Sequence, residues 1–332
     1  MHARAYLEVP LLRPRTVAAL ATALILTMSG CGSSADSSSD PSTGSGTTKV
    51  TVGVIPIVDV APIYLGKQQG FFSQRGIELT MASGQGGSAT VAGVLSGQFG
   101  FGFSNVTSLL IAQSQGVPIK AVANGVASTG KSGADFGAVV VKANSPIRTA
   151  KDLAGKKVAV NLLKNIGDTT VRESIRKAGG DPTTVQFTEI AFPQMPAALD
   201  AGQVDAVWVV EPSLAAVKRN GGRVVAWPFV DTAADLTIAT YFTSTKLSKE
   251  NPGLVKRFRE AIDESLRYAD THPDAVRDIL ATYTQIDAAT RAQVSNARWP
   301  TEINRASVTT LATLGQRDGL FTKQPDLDAL LP

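Results

Sequence analysis

The sequence predicts an α/β fold with two lobes, and three observations carry that prediction. First, from Lys49 onward short apolar runs alternate with helical patterns, which is typical of strands in a largely parallel sheet covered by helices. Second, the stretch from Lys49 to Pro332 is long enough for two lobes of ordinary domain size. Third, a helix, a Gly-Gln turn, an apolar strand, a polar residue and another helix follow one another at 96–107 and again at 201–212. This repeat is either chance or the same unit placed once in each lobe.

The alternation also places the lobes along the chain. The predicted strands of the first lobe cover 49–56, 77–82, 99–104 and 119–123. A further strand is predicted at 138–142, near the point where the second lobe begins, and the strands of the second lobe cover 156–161, 185–190, 205–210 and 223–227. A strand at 239–243 leads back, so we expect the first lobe to hold 49–140 and 235–332 and the second lobe to hold 141–234.

The C-terminal part is predicted to be a helical tail. Asn251 is a good N-cap, Pro252 suits the first helical position, and apolar residues recur on one face from Leu254 to Leu266. Further helices are predicted at 275–283, 287–297 and 303–317. Strands followed by helices suggest that the tail packs on a completed sheet.

The N-terminus has the pattern of an export signal. Basic residues precede a short apolar run at 17–28, which is too short to span a bilayer, since a span needs about 20 apolar residues. The run ends in Met28-Ser29-Gly30-Cys31, which resembles the bacterial lipobox, and Cys31 is the only cysteine. We expect a signal peptide at 1–30, lipidation at Cys31 and a flexible Ser/Thr/Gly-rich tether at 31–48. The alternatives are an ordinary signal peptide that leaves a free thiol, or an uncleaved anchor.

Composition excludes several classes of function. Without 1–30 the chain is nearly balanced in charge and has no block of Lys and Arg interleaved with aromatic residues, so no nucleic-acid partner is predicted. Its one remaining histidine is His272 and its one cysteine is Cys31, so neither a metal cluster nor a nucleophilic triad is predicted. We expect no catalytic residue, no cofactor and no metal.

Polar residues follow several predicted strands, at the edge where open parallel sheets bind ligands. The candidate ligand-binding residues are Asp59, Gln85, Gly86, Gly87, Ser88, Ser104, Asn105, Asn165, Asp168, Thr169 and Glu211. Two adjacent glycines let the backbone approach a ligand, and a helix start offers free N–H groups, although the turn lacks the Gly-Lys-Ser/Thr ending of a P-loop. The other interpretation is that these residues only cap helices or form a turn. For Asp59 we favour capping, and for Glu211 we favour ligand contact.

Several segments together resemble a known family. They are VGVIPIVDVAPIYLGKQQGFFSQRGIELTM (52–81), LSGQFGFGFSN (95–105), GVPIKAVA (116–123), TAKDLAGKKVAV (149–160) and DAGQVDAVWVVEP (200–212). In this order they resemble the nitrate/sulfonate/taurine-type solute-binding proteins of ABC importers, which are themselves similar to bacterial receptors for thiamine-pyrimidine precursors.

The resemblance implies a two-lobed periplasmic-binding-protein-like fold of type II with an interlobe cleft. It implies crossovers near 138–142 and 229–241, and closure on a small organic or oxyanionic solute that is passed to a membrane permease. The protein is then an exported monomer, held by Cys31 at the outer face of the cytoplasmic membrane. The alternatives are a ligand-sensing surface lipoprotein and an enzyme of the same fold acting on a pyrimidine-type substrate, although the cysteine-rich motif of the eukaryotic pyrimidine synthases is absent.

The ligand is less well defined than the family. An oxyanion receptor would place Arg or Lys in the cleft, and only Lys164 is a candidate, although helix N-termini alone can hold an anion. Asp59 and Glu211 suit hydrogen-bond donors on a heterocycle or an amine.

Overall fold

The computed structural model describes residues 46–84 and 86–332, which form two five-stranded sheets covered by helices. The strands in chain order are β1 (Thr48–Val54), β2 (Ile77–Ser83), β3 (Phe101–Asn105), β4 (Ile119–Ala127), β5 (Gly137–Val141), β6 (Lys157–Val160), β7 (Gln186–Glu189), β8 (Ala206–Val210), β9 (Arg223–Ala226) and β10 (Thr237–Ser244). The predictions for residues 1–45, including Cys31, and for Gln85 lie outside the described residues.

The helices fill the connections between strands and form the tail. They are α1 (Ala61–Gln68), α2 (Gly87–Leu95), α3 (Val106–Ser114), α4 (Ile166–Lys177), α5 (Met195–Asp200), α6 (Ser213–Arg219), α7 (Pro228–Thr232), α8 (Thr245–Glu250), α9 (Pro252–Thr271), α10 (Pro273–Ile279), α11 (Ala288–Arg291), α12 (Arg305–Arg317) and α13 (Leu327–Leu330). None of the helices in the described part combines the length and apolar character that a bilayer span requires.

Each sheet is mixed, with one strand that runs against the others. The order in the first lobe is β2-β1-β3-β10-β4, and the order in the second lobe is β7-β6-β8-β5-β9. In the first lobe β10 is antiparallel to both of its neighbours. In the second lobe β5 is likewise antiparallel to both of its neighbours. Each of these strands is the first that the chain forms after it passes from the other lobe, so the direction change marks the two crossings.

The crossings lie beside one another. The chain leaves the first lobe after β4 and enters the second at β5, so residues 128–136 make the first crossing and residues 138–141, where the crossover was expected, are strand. It returns through α7 to β10. The Ser128 N–H donates to the Leu236 carbonyl at 2.9 Å, which ties the two crossing segments together.

The helical tail packs on the first lobe, as the apolar face of α9 predicts. Phe258 of α9 is fully buried and stacks on Phe101 of β3, with ring centroids 3.8 Å apart and an interplanar angle of 7°. Phe72 and Tyr241 also lie against the Phe258 ring. These contacts bury the open face of the first sheet under α9 and complete its core.

The prediction of a helix at 287–297 is wrong after Arg291, where α11 ends. After α11 the chain is irregular because long-range contacts compete with helix formation: the Ser295 N–H donates to Glu211 Oε1 at 3.0 Å, and Arg298 forms a β-bridge with Ala127. The Trp299 indole then donates to the Asp59 carbonyl at 3.2 Å. This part of the tail therefore touches both lobes.

Candidate functional site

Strand ends from both sheets meet around one cavity of about 280 Å³. The carboxyl ends of parallel strands share one edge of each sheet, and the two edges face each other across the gap between the lobes. The lining residues from the first lobe are Ile55, Pro56, Ile57, Ser83 and Gly84, and those from the second lobe are Asn161, Ala191, Phe192 and Pro193. The structure therefore places a cleft between the lobes.

A smaller inner chamber of about 30 Å³ continues from this cavity. The two spaces share Ile55, Ile57, Asn161 and Phe192 in their walls. The chamber adds the polar residues Asp59, Asn105 and Trp208, and the apolar residues Phe103, Ile166, Val210, Phe229, Ile238 and Ala239. It is thus an apolar, aromatic space with a few polar groups, as small-molecule sites usually are.

Asp59 brings a carboxylate to the chamber and does not cap a helix. It lies in a single helical turn before α1, and no side-chain bond caps either that turn or α1. The residue is only 3% exposed, and no group in the described part of the chain hydrogen-bonds its Oδ1 atom. Burial raises the pKa of Asp59 to about 7, although its own backbone N–H favours the charged form, and nearby Asp135 raises the pKa further.

Trp208 contributes a second buried polar group that lacks a partner. It is 2% exposed in β8, and its ring packs against Phe192 and Phe229 with centroids 5.6 and 5.8 Å away. Its indole Nε1 makes no hydrogen bond with the described residues. Buried indole N–H groups normally have an acceptor. Sequence reasoning missed Trp208 as a site residue, although an aromatic residue two positions before a strand end was the available signal.

The polar residues at the starts of α3 and α4 act as caps that also join the lobes. Asn105 Oδ1 accepts from the Ser108 N–H at 2.9 Å, and Asn165 Oδ1 accepts from the Ile166 N–H at 2.5 Å. The Asn165 Nδ2 group then donates to Ser108 Oγ at 3.3 Å across the cleft. Asn165 therefore caps α4 and contacts the first lobe with the same side chain, whereas Asn105 caps α3 within its own lobe.

Asp168 and Thr169, both predicted to contact a ligand, are engaged within their own helix start. The Asp168 carboxylate accepts from the Asn165 N–H at 2.7 Å and from the Lys164 N–H at 2.8 Å, which completes a capping box. The Thr169 hydroxyl donates to the Asn165 carbonyl at 2.9 Å. Burial raises the pKa of Asp168, while these N–H groups favour its charged form. The ligand contacts stay predictions for these two residues.

Glu211 is also occupied by the protein itself. Its side chain is fully buried, Oε2 accepts from the Ala215 N–H at 2.9 Å, and Oε1 accepts from Ser295 of the tail. Burial raises the pKa of Glu211 to about 7, although both N–H bonds favour the carboxylate. The predicted ligand contact stays a prediction, and the geometry favours a role in anchoring α6 to the tail.

The glycine turn lies against the second lobe. A Cβ atom on Gly86 would lie 2.1 Å from Leu162 Cδ1 in the second lobe. A Cβ atom on Gly87, the first residue of α2, would lie 2.3 Å from the Oγ atom of buried Ser104. Ser88 is exposed. Gly86 therefore allows close packing between the lobes, and Gly87 allows close packing of α2 on β3 and α3 within the first lobe.

The electrostatics of the cleft do not match a site built around fixed cations. No Arg, Lys or His lines either cavity among the residues that the structure describes. Lys164, the one cation predicted for the cleft, is exposed and has a left-handed backbone with φ 52°. The same described residues hold no cluster of three or more His, Cys, Asp or Glu side chains that could share a metal ion.

Two α/β lobes with paired crossings and a cleft between them define a periplasmic-binding-protein-like fold. The chain belongs to the NMT1/THI5-like family, whose sequence model matches residues 57–276. Over 274 residues it is 22% identical to a protein of Bacillus subtilis (strain 168) named for binding aliphatic sulfonates, covering 80% of this chain and 77% of that protein.

Solved structures share the fold. One is the zinc-bound ligand-binding component of an ABC-type import system from Staphylococcus aureus, with a TM-score of 0.74, 16% identity and coverage of 86% of this chain and 96% of that chain. Another is the alkanesulfonate-binding protein SsuA from Xanthomonas axonopodis pv. citri bound to MOPS, with a TM-score of 0.71, 17% identity and coverage of 86% and 99%. Both confirm the predicted fold class.

Proposed function

We propose that this protein is the extracytoplasmic solute-binding component of an ABC importer, which captures a small solute between its lobes and delivers it to the permease. One observation carries the proposal: strand ends from both sheets line a cavity between the lobes, and the lobes contact each other beside it. The family and the names of the relatives support the same conclusion.

Capture and closure are one event in this arrangement. The Val58 N–H of the first lobe donates to the Glu211 carbonyl of the second at 3.0 Å, and Asn165 donates to Ser108 beside it. Both bonds join one lobe to the other, so we expect opening of the cleft to break them. A solute that contacts both walls adds favourable interactions to the closed form alone, so it shifts the population toward closure. The permease can then distinguish the loaded from the empty protein.

The boundaries and the anchor belong to the same proposal. We propose that 235–332 returns to the first lobe, as predicted, and we move the first boundary from 140/141 to the crossing at 128–136, because β5 (Gly137–Val141) pairs with β8 and β9 of the second sheet. We place a monomer at the outer face of the membrane through a lipid on Cys31. A Cys31→Ser variant expressed in a bacterial host should leave the membrane fraction while keeping its affinity for solute. A variant that stays in that fraction would contradict lipid anchoring.

We propose reversible binding without turnover. His272 lies between α9 and α10, where its ring stacks on Tyr268 at 3.9 Å, and it does not line the cleft. The carboxyl groups of Asp168 and Glu211 are engaged by backbone N–H groups. A solute recovered after prolonged incubation should be chemically unchanged, and release of any product would support the enzyme alternative.

The decisive experiment compares uptake with binding. Small molecules that co-purify with the protein are identified by mass spectrometry and titrated calorimetrically, and uptake of the labelled solute is measured in cells with and without the gene. The proposal predicts loss of uptake on deletion and recovery on complementation. A sensor would instead leave uptake intact and change gene expression in response to the solute.

A further inference from the structure

Resting on the proposed function, we infer that the cleft binds a small neutral or cationic aromatic solute that donates a hydrogen bond to Asp59, and that it discriminates against sulfonates and other anions. This goes against the ligand in the names of the sulfonate-binding relatives. The inference about the solute depends on the side chains that line the chamber and not on the fold.

The first argument is the unpaired carboxylate. Asp59 is only 3% exposed and lines the chamber. Its Oδ1 atom has no hydrogen-bond partner among the described residues. A buried acceptor without a donor is costly, so a donor supplied by the solute gains more than an ordinary hydrogen bond. An anion placed in the same chamber would face this carboxylate at close range in a medium of low dielectric constant.

The second argument is the lack of compensating positive charge. The described residues that line the cleft include no Arg or Lys, and at two of its helix starts N–H groups are already bonded. Asn105 occupies the start of α3, and Asn165 with Asp168 occupies the start of α4. The start of α2 has no side-chain cap, so an anion bound at Gly87 is the competing arrangement.

The third argument is the aromatic wall. Phe192 and Phe229 each pack on Trp208 beside the chamber, and Phe103 lines it from the first lobe. Offset or edge contacts with such rings favour a planar body. The unpartnered Trp208 indole N–H offers a donor to an acceptor atom on the solute. The cavity of about 280 Å³, which Phe192 also lines, has room for a small ring, whereas the chamber of about 30 Å³ that holds Asp59 and Trp208 has room only for the polar head of that ring.

The test uses probes with one ring and different polar heads: benzamidine, benzamide, benzoate and benzenesulfonate. Calorimetric titration at pH 8 compares the wild-type protein with Asp59→Asn and with the control Asp152→Asn, an exposed carboxyl group that does not line the cleft. We expect benzamidine or benzamide to bind at least tenfold more tightly than either anion. Asp59→Asn should weaken benzamidine at least tenfold, and Asp152→Asn should leave it unchanged.

Three results would overturn the inference: an anion that binds as tightly as the amidine, an amidine affinity that survives Asp59→Asn, or no binding of either the amidine or the amide. Thermal unfolding of Asp59→Asn checks that the variant is folded. If benzenesulfonate bound and sulfonate uptake required the gene, the proposed function would stand while the inference failed.

Discussion

A methyl group added at Gly86 should hold the lobes apart without unfolding either one. Gly86 has φ 170°, an extended backbone that alanine also adopts, so Gly86→Ala introduces no backbone strain. Its new Cβ would lie 2.1 Å from Leu162 Cδ1 and 3.0 Å from Leu162 Cγ, whereas carbon atoms in contact are about 3.5–4.0 Å apart. The overlap exists only in the closed arrangement, so only closure is penalised.

The size of this free-energy penalty depends on how far the Leu162 side chain can rotate away from the new methyl group. Overpacking costs about 1–3 kcal/mol in a core, and because Leu162 is only half-buried it can rotate, so we expect about 1–2 kcal/mol. Since solute binding is coupled to closure, this cost appears as a rise in Kd of about 5- to 30-fold.

The assay is calorimetric titration of Gly86→Ala with the tightest-binding solute of the probe set. Gly100→Ala is the matched control, because a Cβ there would have no neighbour nearer than 3.8 Å. Leu162→Ala, added to Gly86→Ala, should recover most of the lost affinity by removing the obstructing side chain. An unchanged Kd for Gly86→Ala, or a loss that the second substitution does not repair, would refute the coupling of binding to this contact.

Three other substitutions test individual groups. Trp208→Phe keeps a ring in the wall but removes the indole donor, so benzamide should bind about 5-fold more weakly by titration, and an equal affinity would mean that the indole does not contact the solute. Glu211→Ala leaves the N–H groups of Ala215 and Ser295 without their acceptor, so the free energy of unfolding should fall by about 2 kcal/mol in urea titrations, and unchanged stability would contradict the anchoring role. The raised pKa of Asp59 means that the folded state holds its proton up to about pH 7, so stability should fall as pH rises from about 4 to 7. Asp59→Asn should flatten that decline in thermal midpoints, and an identical pH profile would contradict it.

The strand and helix pattern was accessible from sequence because buried parallel strands are short runs of apolar residues with helices between them. The caps at Asn105 and Asn165 were accessible for the same reason, since a polar residue after a buried strand either caps the next helix or faces the cleft. Strand direction was not accessible. Nothing in the apolar runs of β5 and β10 indicates that they run against their neighbours, because that depends on where the chain crosses between lobes.

The site was predictable as a region but not residue by residue. Asp59 and Glu211 look alike in sequence, each an acid after an apolar strand. They differ because Ser295, far along the chain, supplies a donor to Glu211, whereas no described residue supplies one to Asp59 Oδ1. The same long-range contacts made the helix at 287–297 shorter than its local pattern predicted. Which acid stays unpaired is therefore a tertiary property.

Capture of a solute between the lobes is tested most directly by crystallography with a brominated form of the tightest-binding solute. Anomalous scattering locates the bromine without any assumption about the protein. We predict a peak in the cavity between Ile57 of the first lobe and Phe192 of the second. A peak in the open groove that lies wholly on the second lobe, beside Gln194 and Gln203, or on the outer surface, would contradict capture by closure.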